Sequence, residues 1–342
     1  MPMKNPSHRR EKAFGRARLR KNKSARYPIE RSPFWRLSSI HQLAALLDVP
    51  VEDLEATCMA PSYNRFDDQP KPGKEARHIQ EPTEATLKIH YRIARHLDSI
   101  QRPDFLHSAT KCRSHVTNAR AHLASGGAVV AMDIRKFFES TTYHHVKAFF
   151  YKDLGCSHDV ARLLATVCTA DGHLPTGSCI SPLLSYFTHR QLFAEIEKLC
   201  VVTNVIMTLY VDDLTLSGIH ATKSMLYRIK ALIVRHGLQT KSTKDAVLRP
   251  GKSAIITGAI RAGDQLRLRN KHHGAIVEIQ DQMSLGRTPP LDQLRGRIAS
   301  ARAVDPQAAA RLEARLERIV RRGQLANGEG DLSGIVRKKP GI

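Results

Sequence analysis

The stretch TLYVDDLTLSG (208–218) sets two neighbouring aspartates, Asp212 and Asp213, between apolar, β-prone residues. Two short β-runs meeting at a polar pair predict a tight hairpin near Val211–Asp212. Adjacent carboxylates repel each other, and the cost rises as they leave water, so a pair in this setting calls for a cation. GGAVVAMDIRKFFEST (126–141) predicts an apolar strand over 128–134 that delivers a third carboxylate, Asp133, at its end. If these strands pair, three carboxylates converge at one end of a sheet. Oxygen-only ligands on rigid strand ends suit Mg²⁺, which keeps waters and takes phosphate oxygens as its remaining ligands. Two such ions can bridge the attacking and leaving oxygens of an in-line phosphoryl displacement. Taken alone, the Asp-Asp pair also fits a solvated hairpin turn, where aspartate is common.

Charge narrows the partner. The 342 residues hold 54 Lys and Arg against 32 Asp and Glu, a net charge of +22. Such an excess points to a polyanion, because neutralised phosphates release condensed counterions. The first 31 residues are strongly basic and weakly apolar, and read as an arm ordered on RNA phosphates. They contain no apolar core of a signal peptide, and no run in the chain approaches a membrane span. Six cysteines, with no CxxC pair, fit reduced thiols in a cytoplasmic protein. The 17 histidines form no HExxH or comparable ligand pair, so zinc is not expected, and His144–His145 read as a helix start.

Along the chain, helical periodicity begins near Ile40, Leu43, Leu46 and Leu47. FDDQPKPGKEARHI (66–79) is a hairpin candidate rich in turn residues. Helices are expected over 84–100, 115–125, 143–171 and 180–199, and an amphipathic one carries Met225, Leu226, Ile229, Leu232 and Ile233. SAIITGAI and QLRLR read as short strands. Residues 305–323 read as a helix with Leu312, Leu316, Ile319 and Val320 inside and Arg311, Arg315, Arg318, Arg321 and Arg322 outside. That stripe fits either a duplex-binding surface or a solvated face. There are no repeats, and the order is mixed α+β rather than βαβ, which argues against a parallel nucleotide-binding sheet.

Several stretches, from about Ser32 to about Leu316, together resemble the reverse transcriptases, and among them the bacterial retron type. MDIRKFFES (132–140) is similar to the first metal motif, and YVDD (210–213) to the YxDD hairpin. The resemblance implies Asp133, Asp212 and Asp213 as catalytic metal ligands, joined by the Ile134 backbone carbonyl, with two Mg²⁺ ions. It implies Phe138 under the incoming sugar, where an aromatic ring excludes a 2′-hydroxyl, with Tyr210 also at the substrate. LPTGSCISPLLS (174–185) resembles the PxGxxxSP motif through Gly177, Ser181 and Pro182, with Gly177 giving room to nucleotide and template. Thr176 stands where the family usually has glutamine, and Val211 where bacterial members more often have alanine. HGLQTKSTKD (236–245) resembles the GLxxNxxK segment, placing Lys244 near the triphosphate as a proton donor. KPGKEARHI (71–79) resembles the fingertip hairpin, placing Arg77 and Lys74 on the incoming phosphates, for which arginine's bidentate fork is well suited.

VTNARAH (116–122) resembles the retron NAxxH signature, giving Asn118 and His122, and ITGAI (256–260) resembles the VTG motif, giving Thr257 and Gly258. LRGRIASARAVDP (294–306) resembles the retron thumb segment. Read alone, His122 is a core or capping histidine. As the resemblance has it, Asn118, His122, Arg311 and Arg315 face RNA.

The expectation is an α+β right-hand polymerase whose antiparallel palm sheet is flanked by helices. Its parts would be a basic arm over 1–31, fingers over 32–127, palm over 128–270 with a helical insertion at about 143–180, and thumb with tail over 271–342. The implied activity is DNA synthesis from dNTPs on a structured noncoding RNA that is both template and primer. Synthesis would begin at a guanosine 2′-hydroxyl and leave a bound, branched RNA–DNA product. An anti-phage role with a separate effector protein is part of the same implication. Three rivals stand beside it: an RNA-binding scaffold on a polymerase fold, another reverse transcriptase class such as an intron-encoded or diversity-generating enzyme, and a metal-dependent nuclease. The intact carboxylates count against the first, and NAxxH and VTG against the second. Against intron-encoded enzymes, the chain also lacks room for their added domains. A nuclease has no use for Phe138 or the PxGxxxSP segment.

Overall fold

The computed structural model describes residues 26–69, 76–285, 287 and 291–327. Most of the basic arm and Lys74 therefore lie outside the described residues. Helix α1 (Ile40–Leu47) starts behind Ser39, whose hydroxyl accepts the Gln42 N–H, and buries Leu43, Ala44 and Leu47. After α2 (Val51–Met59), strands β1 (Tyr63–Asp68) and β2 (Arg77–Pro82) pair as the expected antiparallel hairpin. Helix α3 (Glu84–Asp98) turns Ile89, Ile93 and Leu97 into the core. An irregular strap over 99–114 leads into α4 (His115–Arg120), capped by a Ser114–Thr117 box. Where one helix was expected to run to 125, α4 stops at Arg120, and the chain leaves through Gly126 in a left-handed conformation (φ 58°).

The central sheet has the order β4-β5-β3-β6, antiparallel throughout: β3 (Ala128–Asp133), β4 (Ile206–Tyr210), β5 (Asp213–Gly218) and β6 (Ala246–Leu248). The sheet is antiparallel and flanked by helices, an α+β arrangement as expected. Between β3 and β4 run α5 (Phe137–Ser140), α6 (Tyr143–Ala148), α7 (His158–Cys168), α8 (Ser181–Thr188) and α9 (Arg190–Val202). The helix expected over 143–171 is thus broken. A π-helical turn at Phe149–Asp153 buries both Phe149 and Phe150, and Gly155 (φ 67°) then turns the chain. The stretch 180–199 is likewise two helices, parted at His189.

The sheet's two faces are covered differently. Val130, Met132, Met207, Leu209, Leu214 and Leu216 enter the main core, against which α10 (Lys223–Arg235) lays Met225, Leu226, Ile229 and Ile233. Val129 points the other way, into a smaller core with α4 and a three-stranded meander, β7 (Ala254–Ile256), β8 (Ala259–Ala262) and β9 (Gln265–Arg267). SAIITGAI is therefore two strands folded at Thr257 (φ 42°) and Gly258 (φ 91°). Helices α11 (Asn270–Ser284), α12 (Leu291–Val304) and α13 (Pro306–Asn327) close the chain around Ile276, Ile298, Leu312 and Leu316. Buried Asp305 fixes the last corner, accepting the N–H groups of Ala308 at 2.9 Å and Leu268 at 3.3 Å. No described helix is long and apolar enough to cross a membrane.

Candidate active site

The register of β3 against β5 sets Asp133 opposite Asp213, and that of β4 against β5 sets Tyr210 opposite Asp213. Val211 and Asp212 form the two-residue turn between them. The Ile134 N–H donates to the Asp212 carbonyl at 2.9 Å, tying the end of β3 to this turn. One carboxylate oxygen from each of Asp133, Asp212 and Asp213 lies within 4.8 Å of the other two. Burial, then Asp133 and Asp213, push Asp212 up to about 6. Asp213 is also raised by burial, opposed by Lys244 and reinforced by Asp133. Three oxygen donors converging with their charges this poorly tolerated fit a hard divalent cation.

Lys244 supplies the local countercharge. It follows a bridge between Ile134 and Thr240, and its ammonium donates to Asp133. Burial opposes that charge, but the hydrogen bond to Asp133 and the three carboxylates outweigh it and raise the lysine above its ordinary value. The sequence reading expects Lys244 near the triphosphate; here its ammonium rests on the Asp133 carboxylate.

Phe138, five residues after Asp133, is half-buried on the short α5, which follows a left-handed Lys136 (φ 48°). Its ring stacks on Phe137 at 6.5 Å between centroids, and Phe137 is held in turn by His189 and Phe193. Tyr210 is half-buried. Arg77 is exposed at the start of β2, opposite Asp68.

Other residues do something different from what the sequence reading assigned. Ser181 is fully buried and donates to the Pro175 carbonyl at 2.6 Å, so its hydroxyl braces the PxGxxxSP loop and is not presented to a nucleotide. Gly177 gives room to β2: a Cβ there would meet the Gln80 carbonyl oxygen at 2.8 Å, and the Gly177 N–H donates to that oxygen. Thr176 serves the same joint, donating to the His78 carbonyl at 2.8 Å. Hairpin β1–β2 is thereby docked on this loop, which no local sequence signal announces.

Asn118 and His122 are fully buried, which removes them as RNA contacts in this structure. His122 lies between the Ser217 hydroxyl at 2.6 Å and the Thr208 hydroxyl at 2.7 Å, joining β5 to β4. Burial, aided by Arg261, pulls it down to about 3, so it is neutral. Asn118 donates to Thr257, whose hydroxyl donates to the His115 carbonyl at 2.7 Å. The NAxxH and VTG segments thus fasten to each other as structural joints. Arg311 is exposed, but Arg315 is turned inward, bonding Asp281 at 2.6 Å and Gln280 at 3.1 Å.

No protein-family profile matches the sequence. Over 282 residues the chain is 23% identical to the retron Ec86 reverse transcriptase of Escherichia coli, covering 81% of this chain and 88% of that one. Over 189 residues it is 25% identical to the retron Se72 reverse transcriptase of Salmonella heidelberg, covering 53% of this chain and 48% of that one. Among solved structures it is similar to a foamy viral protease–reverse transcriptase in complex with double-stranded DNA. The TM-score is 0.44 and the identity 16%, covering 79% of this chain and 44% of that one.

Proposed function

We infer that this chain, a retron-type reverse transcriptase and hence an RNA-directed DNA polymerase, makes a branched RNA–DNA hybrid from a structured cognate RNA. The observation that carries the chemistry is the convergence of Asp133, Asp212 and Asp213 within 4.8 Å at the joined ends of β3, β4 and β5. These carboxylates, with the Ile134 carbonyl, would hold two Mg²⁺ ions. When bound, the ions activate the attacking hydroxyl and stabilise the departing pyrophosphate.

The chain's own groups do the rest. Phe138, fixed by its stack on Phe137, bars the 2′-hydroxyl of a ribonucleotide, with Tyr210 beside the same substrate. Arg77, with Lys74, grips the incoming phosphates; bidentate guanidinium recognition suits them. Lys244, which here donates to Asp133, would on leaving that carboxylate give its ammonium proton to an oxygen of the departing pyrophosphate. The net charge of +22 supports a nucleic-acid partner, with exposed Arg311 on its surface and the basic arm as a further contact.

In domain terms we assign fingers to 32–127, palm to 128–270 and thumb to 271–342. Retron kinship is what supports self-priming at a 2′-hydroxyl, a cytoplasmic setting, and a defence role with a separate effector. The test is to purify the protein from its own locus and treat the bound nucleic acid with RNase, then DNase. A discrete DNA species that survives RNase, and is lost in the D212N/D213N double variant, is expected. Bound RNA without DNA, even with dNTPs and Mg²⁺ supplied, would sink the reading.

A further inference from the structure

The turn that carries Asp212 is not stable by its own sequence. Between Tyr210 and Asp213 the hairpin has two turn residues, and of these only Val211 has positive φ, at 59°. A two-residue turn with positive φ at its first position is glycine's place. A β-branched residue there brings its Cβ against the backbone, so surrounding structure must impose the conformation.

The strap over 99–114 is what lies against it. It runs beside the free edge of β4: the Leu209 N–H donates to the Phe105 carbonyl at 2.8 Å, and the His107 N–H to the Leu209 carbonyl at 2.9 Å. One step further on, the Val211 N–H donates to the Ser108 hydroxyl oxygen at 3.0 Å, and Ser108 is buried. The strap is itself clamped. Arg113 donates to the carbonyls of Pro103, Asp104 and Leu106 at 2.8–2.9 Å and to the Asp104 carboxylate at 2.6 Å. Arg102 reaches the Asp98 carboxylate at 2.7 Å and the Ala109 carbonyl.

We propose that Ser108 is a positioning residue for catalysis: through the Val211 N–H it holds the turn in the left-handed conformation that aims Asp212 and Asp213 at Asp133. It touches neither substrate nor metal. The turn is then gripped from both flanks, by Ser108 on Val211 and by Ile134 on Asp212. A shift of about 1 Å in a reacting group can cost on the order of 100-fold in rate, so one such hydrogen bond can matter far beyond its contribution to folding. The proposal rests on the polymerase reading above.

The test is a double-mutant cycle of Ser108→Ala and Val211→Gly, read as kcat and KM for dNTP on a primed RNA template with Mg²⁺. Ser108→Ala should lower kcat by about tenfold or more with KM changed less than about twofold, because the aspartates and not the dNTP contacts are displaced. Ser108→Thr, which keeps the hydroxyl, should retain most of the rate. In the Val211→Gly background, where glycine takes positive φ without strain, Ser108→Ala should cost less than about threefold. That background also provides a folded host should Ser108→Ala alone be insoluble. A Ser108→Ala enzyme as fast as wild type, or a cost just as large on glycine, would overturn the proposal. Wild type inert on primed RNA would instead bring down the polymerase reading and this proposal with it.

Discussion

Lys244 rests its ammonium on the Asp133 carboxylate, so the cluster of three aspartates carries an internal cation where a divalent ion would bind. Metal and lysine then compete for one oxygen. Lys244→Ala should lower the melting temperature of the protein in EDTA, since the carboxylates lose their only nearby countercharge among the described residues. It should also enlarge the rise in melting temperature on adding Mg²⁺, because ligand-linked stabilisation grows as the dissociation constant falls. DNA synthesis should fall if the lysine protonates pyrophosphate. A smaller Mg²⁺ response than in wild type would show that Lys244 does not compete with the ion.

Asp212 gives a pH signature of opposite sign to the usual carboxylate. Its folded pKa, about 6, lies above the ordinary value of 3.8, so between these pH values the folded state binds more protons than the unfolded one. Its contribution to stability is therefore lost as pH rises from about 4 to about 6, by up to about 3 kcal/mol. His122 and His189, both pulled down to about 3 by burial, act in the opposite sense. The unfolded state takes their protons first, so stability is lost as pH falls below about 6.5. Asp213 is raised as well, but His90, pulled down by burial to about 4, joins the other two histidines. The three outweigh the two aspartates, so wild type should grow more stable up to about pH 6.5. Asp212→Asn should remove only its own opposing part: in EDTA at pH 7 it should melt higher than wild type while being inactive. A lower melting temperature would refute the strained-carboxylate account.

Much of this site was legible because its ligands sit on local patterns. Alternating β-formers around Asp212–Asp213 and an apolar run ending at Asp133 fix strand ends, and pairing of those strands brings the carboxylates together. Helix α10 was equally plain from its spacing. What the pattern hides is which polar groups face inward. Ser181 and Asn118, and His122 once the resemblance is applied, look like ligand-binding residues until the chain folds over them, since burial is decided by elements far away in sequence. Only the bare reading of His122 as a core histidine anticipates its place. Arg315 shows the same in the helical bundle, because its partner, Asp281, lies on another helix. The Ser108 contact to Val211 spans 103 residues, and nothing local to either residue reports it.

The sugar gate is a packing prediction. Phe138 is braced by Phe137, itself buried against His189 and Phe193, so the ring cannot swing away cheaply. Phe138→Ala should raise incorporation of ribonucleotides relative to deoxynucleotides by about tenfold or more, which is the scale of removing one steric contact. Parallel primer extensions with dNTPs and NTPs measure the ratio. Unchanged discrimination would remove the gate from this residue.

Arg311 and Arg315 share a helix but should answer differently. Arg311 is exposed and without a described partner, so Arg311→Ala should leave the melting temperature nearly unchanged, as most surface changes do. If it meets an RNA phosphate, the slope of log affinity against log salt should become shallower by about one. Arg315 joins α13 to α11 through Asp281, Gln280 and the Val277 carbonyl. Arg315→Ala should therefore destabilise the protein by about 1–2 kcal/mol, as lost charge-assisted hydrogen bonds do, and leave the salt slope alone. Thermal melts and RNA-binding isotherms at several salt concentrations separate the two. A salt-slope change in Arg315→Ala with no thermal effect would mean that this arginine leaves Asp281 to bind nucleic acid.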